Sequence, residues 1–239
     1  MLKKRYLLIA CFFWMLFSCE NDVLITFSET NITSENNRIV DVNIPLASQN
    51  TSAAKSINSA IEGYVIKTLQ IREPNVANLE SVKGSIDSFN NEYTDFIAQF
   101  PESAHSWEAQ IDGEVIFKTP DIICVSLTSY TNTGGAHGVL NISFLNFEAA
   151  TGKLIDTPKL FIDIEGFKAI AKKHFEASVK DKDLLFSSDN FQLPKNIGYS
   201  DDGIILLYNT YEIAPHSAGI IEFSIPFEDA KSYLVFNSF

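Results

Sequence analysis

Cysteine is scarce in this chain, three in 239 residues, and the placement of the three leaves no disulfide framework to read. Glycine (11) and proline (8) are too few for a fibrous or linker-dominated protein. Cations are the minority charge, 18 Lys and Arg against 30 Asp and Glu. The resulting formal charge of -12 repels a phosphate backbone and excludes general nucleic-acid binding. There is no internal repeat and no low-complexity tract. What remains is a chain that is 46% hydrophobic and 12% aromatic with 19 Phe, enough to bury a substantial core.

The longest apolar run is short and sits at the start. Lys3, Lys4 and Arg5 precede an unbroken apolar stretch over residues 6–17. At about 1.5 Å per residue it spans roughly 18 Å, short of the ~30 Å hydrocarbon core of a bilayer, so it reads as a targeting segment and not as a permanent span. Leu16, Phe17, Ser18 and Cys19 resemble a lipobox, in which cleavage leaves an acylated Cys19 at the new N-terminus. An ordinary secretory signal ending in a chance cysteine is the alternative. Cleavage before Cys19 removes three cations and no acid, leaving a mature charge of about -15. Cys11 then departs with the leader and Cys19 carries lipid, which leaves Cys124 alone in the apolar run 122–125, a buried thiol acting as a small hydrophobe.

Residues 19–37 are polar and lack periodicity, as expected of a flexible tether, with folding beginning near Arg38. A first strand is expected over 39–46. Ile57, Ala60, Ile61, Tyr64, Val65 and Leu69 recur at helical spacing, and so do Val82, Ile86, Phe89, Tyr93, Phe96, Ile97 and Phe100, the second helix being closed by Pro101. The period then changes: short strands at 107–111, 115–117, 122–130 and 139–147 form an antiparallel meander. In the last of these Leu140, Ile142 and Phe144 face the core and Asn141 and Ser143 face outward. A third helix at 163–180, strands at 203–209 and 219–225 and a closing helical turn at 227–234 complete an α+β fold, helices packed on a largely antiparallel sheet.

Two loops stand out: Thr133, Gly134, Gly135, Ala136, His137 and Gly138 between two strands, and residues 209–219, which include Tyr211, Glu212, Pro215 and His216. A third segment is the turn Asn146, Phe147, Glu148, Ala149, Ala150, Thr151, Gly152 and Lys153. On these segments the chain resembles, from about Arg38 to its end, the extracytoplasmic domain family shared by the lysozyme-sensing anti-sigma factor RsiV and the N-terminal part of the peptidoglycan deacetylase PdaC. Where this chain has His216 the family more often carries Tyr. The resemblance implies an α+β fold of two interleaved halves, here 38–150 and 151–239. It also implies a noncatalytic binding module for a lysozyme-type protein or an envelope glycan, with no cofactor and with the deacetylase chemistry in a separate domain.

The residues are consistent with that division. Deacetylation of this kind needs an Asp pair and two histidines one helical turn apart, whereas His105, His137, His174 and His216 show no such spacing, so no metal site is expected. The glycine loop at 133–138 lacks the Lys-Ser/Thr of a phosphate loop and precedes a strand; Gly134 or Gly135 is expected at positive φ. No Gly-x-Ser-x-Gly elbow occurs, so no catalytic residue is assigned. The candidate ligand-binding residues are Thr133, Gly134, Gly135, His137, Tyr211, Glu212 and His216, set against the plainer reading of glycine-permitted turns. A glycan hydrolase using Glu212 and Glu222, or a deacetylase-associated enzyme, is the alternative function. The expected setting is the bacterial cell envelope, extracytoplasmic and lipid-anchored in a membrane. The acidic surface suits a basic protein partner.

Overall fold

Residues 122–125 become the centre of the molecule because both of their faces are covered. In a computed structural model, which describes residues 24–71, 81–102, 106–180, 182–187 and 190–238, they open strand β4 (Ile122–Asn132). Side chains alternate along a strand, so Ile123, Val125 and Leu127 enter one core while Ile122 and Cys124 enter a second on the opposite face. The leader, with Cys11 and Cys19, and His105 lie outside the described residues.

Five strands form the first sheet in the order β1 (Phe27–Asn31), β2 (Val40–Ala47), β3 (Glu108–Lys118), β4 and β5 (Val139–Glu148). Only β2 and β3 run parallel, because the chain between them crosses over through helices α1 (Ser52–Leu69) and α2 (Val82–Gln99). Thr51 caps α1 by accepting from the Ala54 N–H at 3.1 Å, and Ser81 caps α2 by accepting from Gly84 at 3.1 Å. Ile57, Ile61, Val65 and Leu69 of α1 are buried against Val42 and Ile44 of β2 and against Ile86 and Phe89 of α2. Each such side chain contributes roughly 1.5–3 kcal/mol by leaving water.

The second core lies under α3 (Ile164–Ser178), capped by Asp163 accepting from Gly166 at 2.9 Å. Phe167, Ala171 and Phe175 of α3 pack on a three-stranded antiparallel sheet, β6 (Asn196–Ser200), β7 (Gly203–Tyr208) and β8 (Ile221–Pro226), followed by the short helix α4 (Phe227–Ala230). Phe117 of β3 stacks on Tyr199 of β6 at 5.7 Å, and the Asn146 side chain donates to the Ile197 carbonyl at 2.8 Å. These contacts join the halves. Among the described residues no helix is long and apolar enough to cross a membrane.

The turn at 146–153 joins the two cores to α1. Phe147 is buried, the Thr151 hydroxyl donates to the Glu148 carboxylate, and the Gly152 N–H donates to the Glu148 carbonyl at 2.8 Å. Gly152 has φ +67° and abuts the Ala53 backbone at the start of α1, so any Cβ there would be both strained and blocked.

Several expectations need correction. Folding begins before Arg38: within the stretch read as a tether, Phe27–Asn31 pairs antiparallel with β2. The meander holds, but 107–111 and 115–117 are one strand, β3, running through Asp112 and Gly113 with a bulge between Val115 and Phe117. There are two sheets, and β6 escaped the sequence reading. The alternation expected in β5 fails in its first half, where Val139 and Leu140 are exposed, because that half extends past the second sheet. Phe100 is 55% exposed, and Phe96 is only half-buried in a ring cluster around Trp107.

Candidate functional site

The two loops singled out by sequence meet at one end of the β4–β5 hairpin. The first is the hairpin's own connection. Asn132 accepts from the Gly134 N–H at 3.0 Å, and Gly134, with φ +85°, reverses the chain, while Thr133, Gly135 and His137 are exposed. The second loop leaves β7 at Asn209. Its side-chain amide pairs with both backbone groups of Ile142 on β5, accepting from the N–H at 2.9 Å and donating to the carbonyl at 2.8 Å. One side chain thereby imitates a neighbouring strand and fixes the second half of the molecule to the edge of the first sheet.

That anchor positions a strained turn. Glu212 N–H donates to the Asn209 carbonyl at 3.1 Å, placing Tyr211 third in the turn with φ +67°, a conformation that suits glycine. Holding a non-glycine residue there costs on the order of 1–3 kcal/mol, so the surroundings must enforce it. The Glu212 carboxylate does so: one oxygen accepts from the Asn209 N–H and the other from the Lys195 N–H, both at 3.1 Å. On its inner side Glu212 borders a cavity of about 210 Å³ with Phe175, Phe191, Tyr208 and Ile213. Burial, and then the Glu212 charge, push the Tyr208 phenol above its ordinary pKa, and its hydroxyl donates to the Gln192 carbonyl at 2.6 Å.

The consequence is a row of three rings. His216, half-buried at the start of a 3₁₀ turn, stacks on His137 with centroids 4.0 Å apart and 22° between planes, and meets Tyr211 at 5.5 Å and 42°. Tyr211 is 59% exposed. The structure thus brings together His137, Tyr211 and His216, leaves Thr133 and Gly135 at the tip of the turn, and turns both oxygens of Glu212 inward. Glu222 is exposed on β8 opposite Leu207. His174 lies elsewhere, with Nε2 at 3.2 Å from Asp229. Among the described residues no group of three or more His, Cys, Asp or Glu side chains converges on a metal-sized space.

Beside the rings a second concavity runs between the C-terminal part of α1 and the strands β4 and β5, on the side of the sheet that α1 covers, bounded by Asn196 and Asn209. Apart from Asn209, which falls in the second distinctive loop, none of its residues stands out in the sequence as a ligand-binding candidate. Asn209 opens the loop that the sequence singles out, yet its partner Ile142 is 67 residues away, beyond the reach of any local signal.

With this geometry in place, the comparisons with known proteins divide along the same line. Residues 32–140 match the family described as Deacetylase PdaC, and residues 158–228 match the family described as a protein of unknown function, DUF3298. The two matches lie on either side of residues 141–157. A DUF3298 family protein from Bacteroides fragilis NCTC 9343 has a solved structure 18% identical to this chain, with a TM-score of 0.65 over 89% of this chain and 94% of that one. Another from Pseudomonas aeruginosa PAO1 is also 18% identical, with a TM-score of 0.57 over the same shares. At that identity the likeness concerns the DUF3298 fold alone. No curated protein matches this chain.

Proposed function

We propose that this protein is a noncatalytic binding module of the bacterial cell envelope, extracytoplasmic and lipid-anchored through Cys19, whose ring row receives a basic protein of the lysozyme type. One observation carries the reading: loops from the two halves converge so that His137, His216 and Tyr211 form a continuous, partly exposed aromatic surface, with Tyr211 held at φ +67°. Backbone strain persists where the surroundings enforce it, and it clusters at binding sites. Exposed aromatic rings on a rigid frame are the usual anchors of protein interfaces. The formal charge of -12 favours encounter with a basic partner through long-range steering.

The hydrolytic alternative on Glu212 and Glu222 has less support, because both Glu212 oxygens already accept backbone N–H groups. The test is a titration of the full-length chain in detergent with hen lysozyme. His137→Ala and Tyr211→Ala should each weaken binding about tenfold at unchanged melting temperature, and added salt should weaken it further. Binding indifferent to salt and to both substitutions would refute the reading, as would glycan cleavage that disappears in Glu212→Gln.

A further inference from the structure

The concavity beside the ring row has a volume of about 470 Å³, within the range of small-ligand clefts. Its walls are of two kinds. Tyr64 and Ser129 are hydrogen-bonded to each other at 3.1 Å, and Asn209 is committed to Ile142, so that side is rigid. Lys67, Thr68, Thr131, Asn141, Ser143 and Asn196 line the same space, and among the described residues none of these six side chains has a hydrogen bond or ion pair within the protein. Phe144 and Leu145, on opposite faces of β5, add apolar surface to the lining.

This inventory specifies a ligand. Side-chain amides and hydroxyls both donate and accept, so they match a molecule that presents donors and acceptors on every edge. The apolar surface of Phe144 and Leu145, with the Tyr64 ring in the same lining, matches C–H groups of a ligand. No carboxylate lines the space, which contains one cation on a chain of net charge -12. A basic peptide therefore finds nothing to pair with there, and a polyphosphate finds too little. From this we infer that the groove is a saccharide site, with pyranose rings lying over Phe144, hydroxyl or acylamino groups reading Asn141, Asn196 and Thr131, and Lys67 placed for a single carboxylate on the sugar. The site is distinct from the ring row, so the lysozyme titration and the saccharide titration succeed or fail independently.

The test is isothermal titration of the full-length chain in detergent with three probes: chitotetraose as a neutral saccharide, the N-acetylglucosaminyl-N-acetylmuramic acid disaccharide as one bearing a carboxylate, and an extended Ser-Gly hexapeptide. Both saccharides should bind saturably and the peptide should not. Asn141→Leu and Asn196→Leu should each weaken both saccharides about five- to tenfold. Lys67→Met should weaken the acidic disaccharide by a similar factor and leave chitotetraose unchanged. His137→Ala, outside the groove, should leave all saccharide affinities unchanged. Three results would overturn the inference: no saturable saccharide binding up to about 10 mM, saccharide affinity indifferent to all three groove variants, or binding of the hexapeptide alone, which would make the groove a place for strand addition along β5.

Discussion

Removing the Asn209 side chain tests whether one amide holds the two halves in register. Asn209→Ala deletes an acceptor for the Ile142 N–H at 2.9 Å and a donor to the Ile142 carbonyl at 2.8 Å, both partly buried. A typical hydrogen bond contributes about 0.5–1.5 kcal/mol net. Because water can reach part of the site, the pair should contribute about 1–2 kcal/mol. For a chain of this size that corresponds to a fall in melting temperature of about 2–8 °C. The Glu212 bonds to the Asn209 and Lys195 backbone do not involve the deleted atoms, so the Tyr211 turn should persist while the loop loses its tie to β5. Urea unfolding gives the stability change, and hydrogen exchange at the Ile142 amide gives a local readout, since the edge of β5 is covered there by Asn209. Asn209→Asp should be no better than Ala, because its second oxygen would face the Ile142 carbonyl. A stability change below about 0.3 kcal/mol, with Ile142 exchange unaltered, would refute the clamp.

The other predictions concern the cores and the N-terminus. Phe89→Ala, which empties a fully buried ring site beside Trp107, should cost roughly 3–5 kcal/mol, whereas Phe96→Ala, at the half-exposed rim of the same cluster, should cost about 1–2 kcal/mol. Equal losses by chemical denaturation would contradict the burial difference. Burial pushes the Cys124 thiol from near 9 up to about 12, so native protein at pH 8 should resist alkylation until it is unfolded. The sign of the linkage follows: between about pH 9 and 12 the unfolded chain loses this proton first, so Cys124 lowers stability as pH rises through that window and leaves it unchanged below. Mass spectrometry should find the mature N-terminus at an acylated Cys19, and Cys19→Ser should abolish membrane partitioning; an unmodified N-terminus beyond residue 19 would refute the lipid anchor.

Local repetition made the helices and the meander legible. Ile57, Ile61, Val65 and Leu69 recur at the period that a helix imposes, and capping side chains precede each long helix, so α1, α2 and α3 follow from near-neighbour chemistry alone. The apolar run at 122–125 announced a strand with a buried thiol, and the 146–153 turn carried its own glycine and threonine; that both faces of β4 are covered came from the packing of the two halves. Tertiary structure decided what depends on partners far along the chain. Phe27–Asn31 has a polar, unpatterned sequence and becomes β1 only because β2 offers it an open edge. Asp112 and Gly113 read as a break, yet β3 continues through them because β4 pairs along its length. Phe96 and Phe100 keep the helical spacing of core residues, but full burial along α2 ends at Asn90 and Phe100 is its C-cap, and periodicity gives a face without saying where the covering ends. The loops at 133–138 and 209–219 were visible as unusual sequences. Their contact, the Asn209 clamp that sets it and the uncommitted groove beside it arise from packing one half against the other, a long-range juxtaposition that no local pattern encodes.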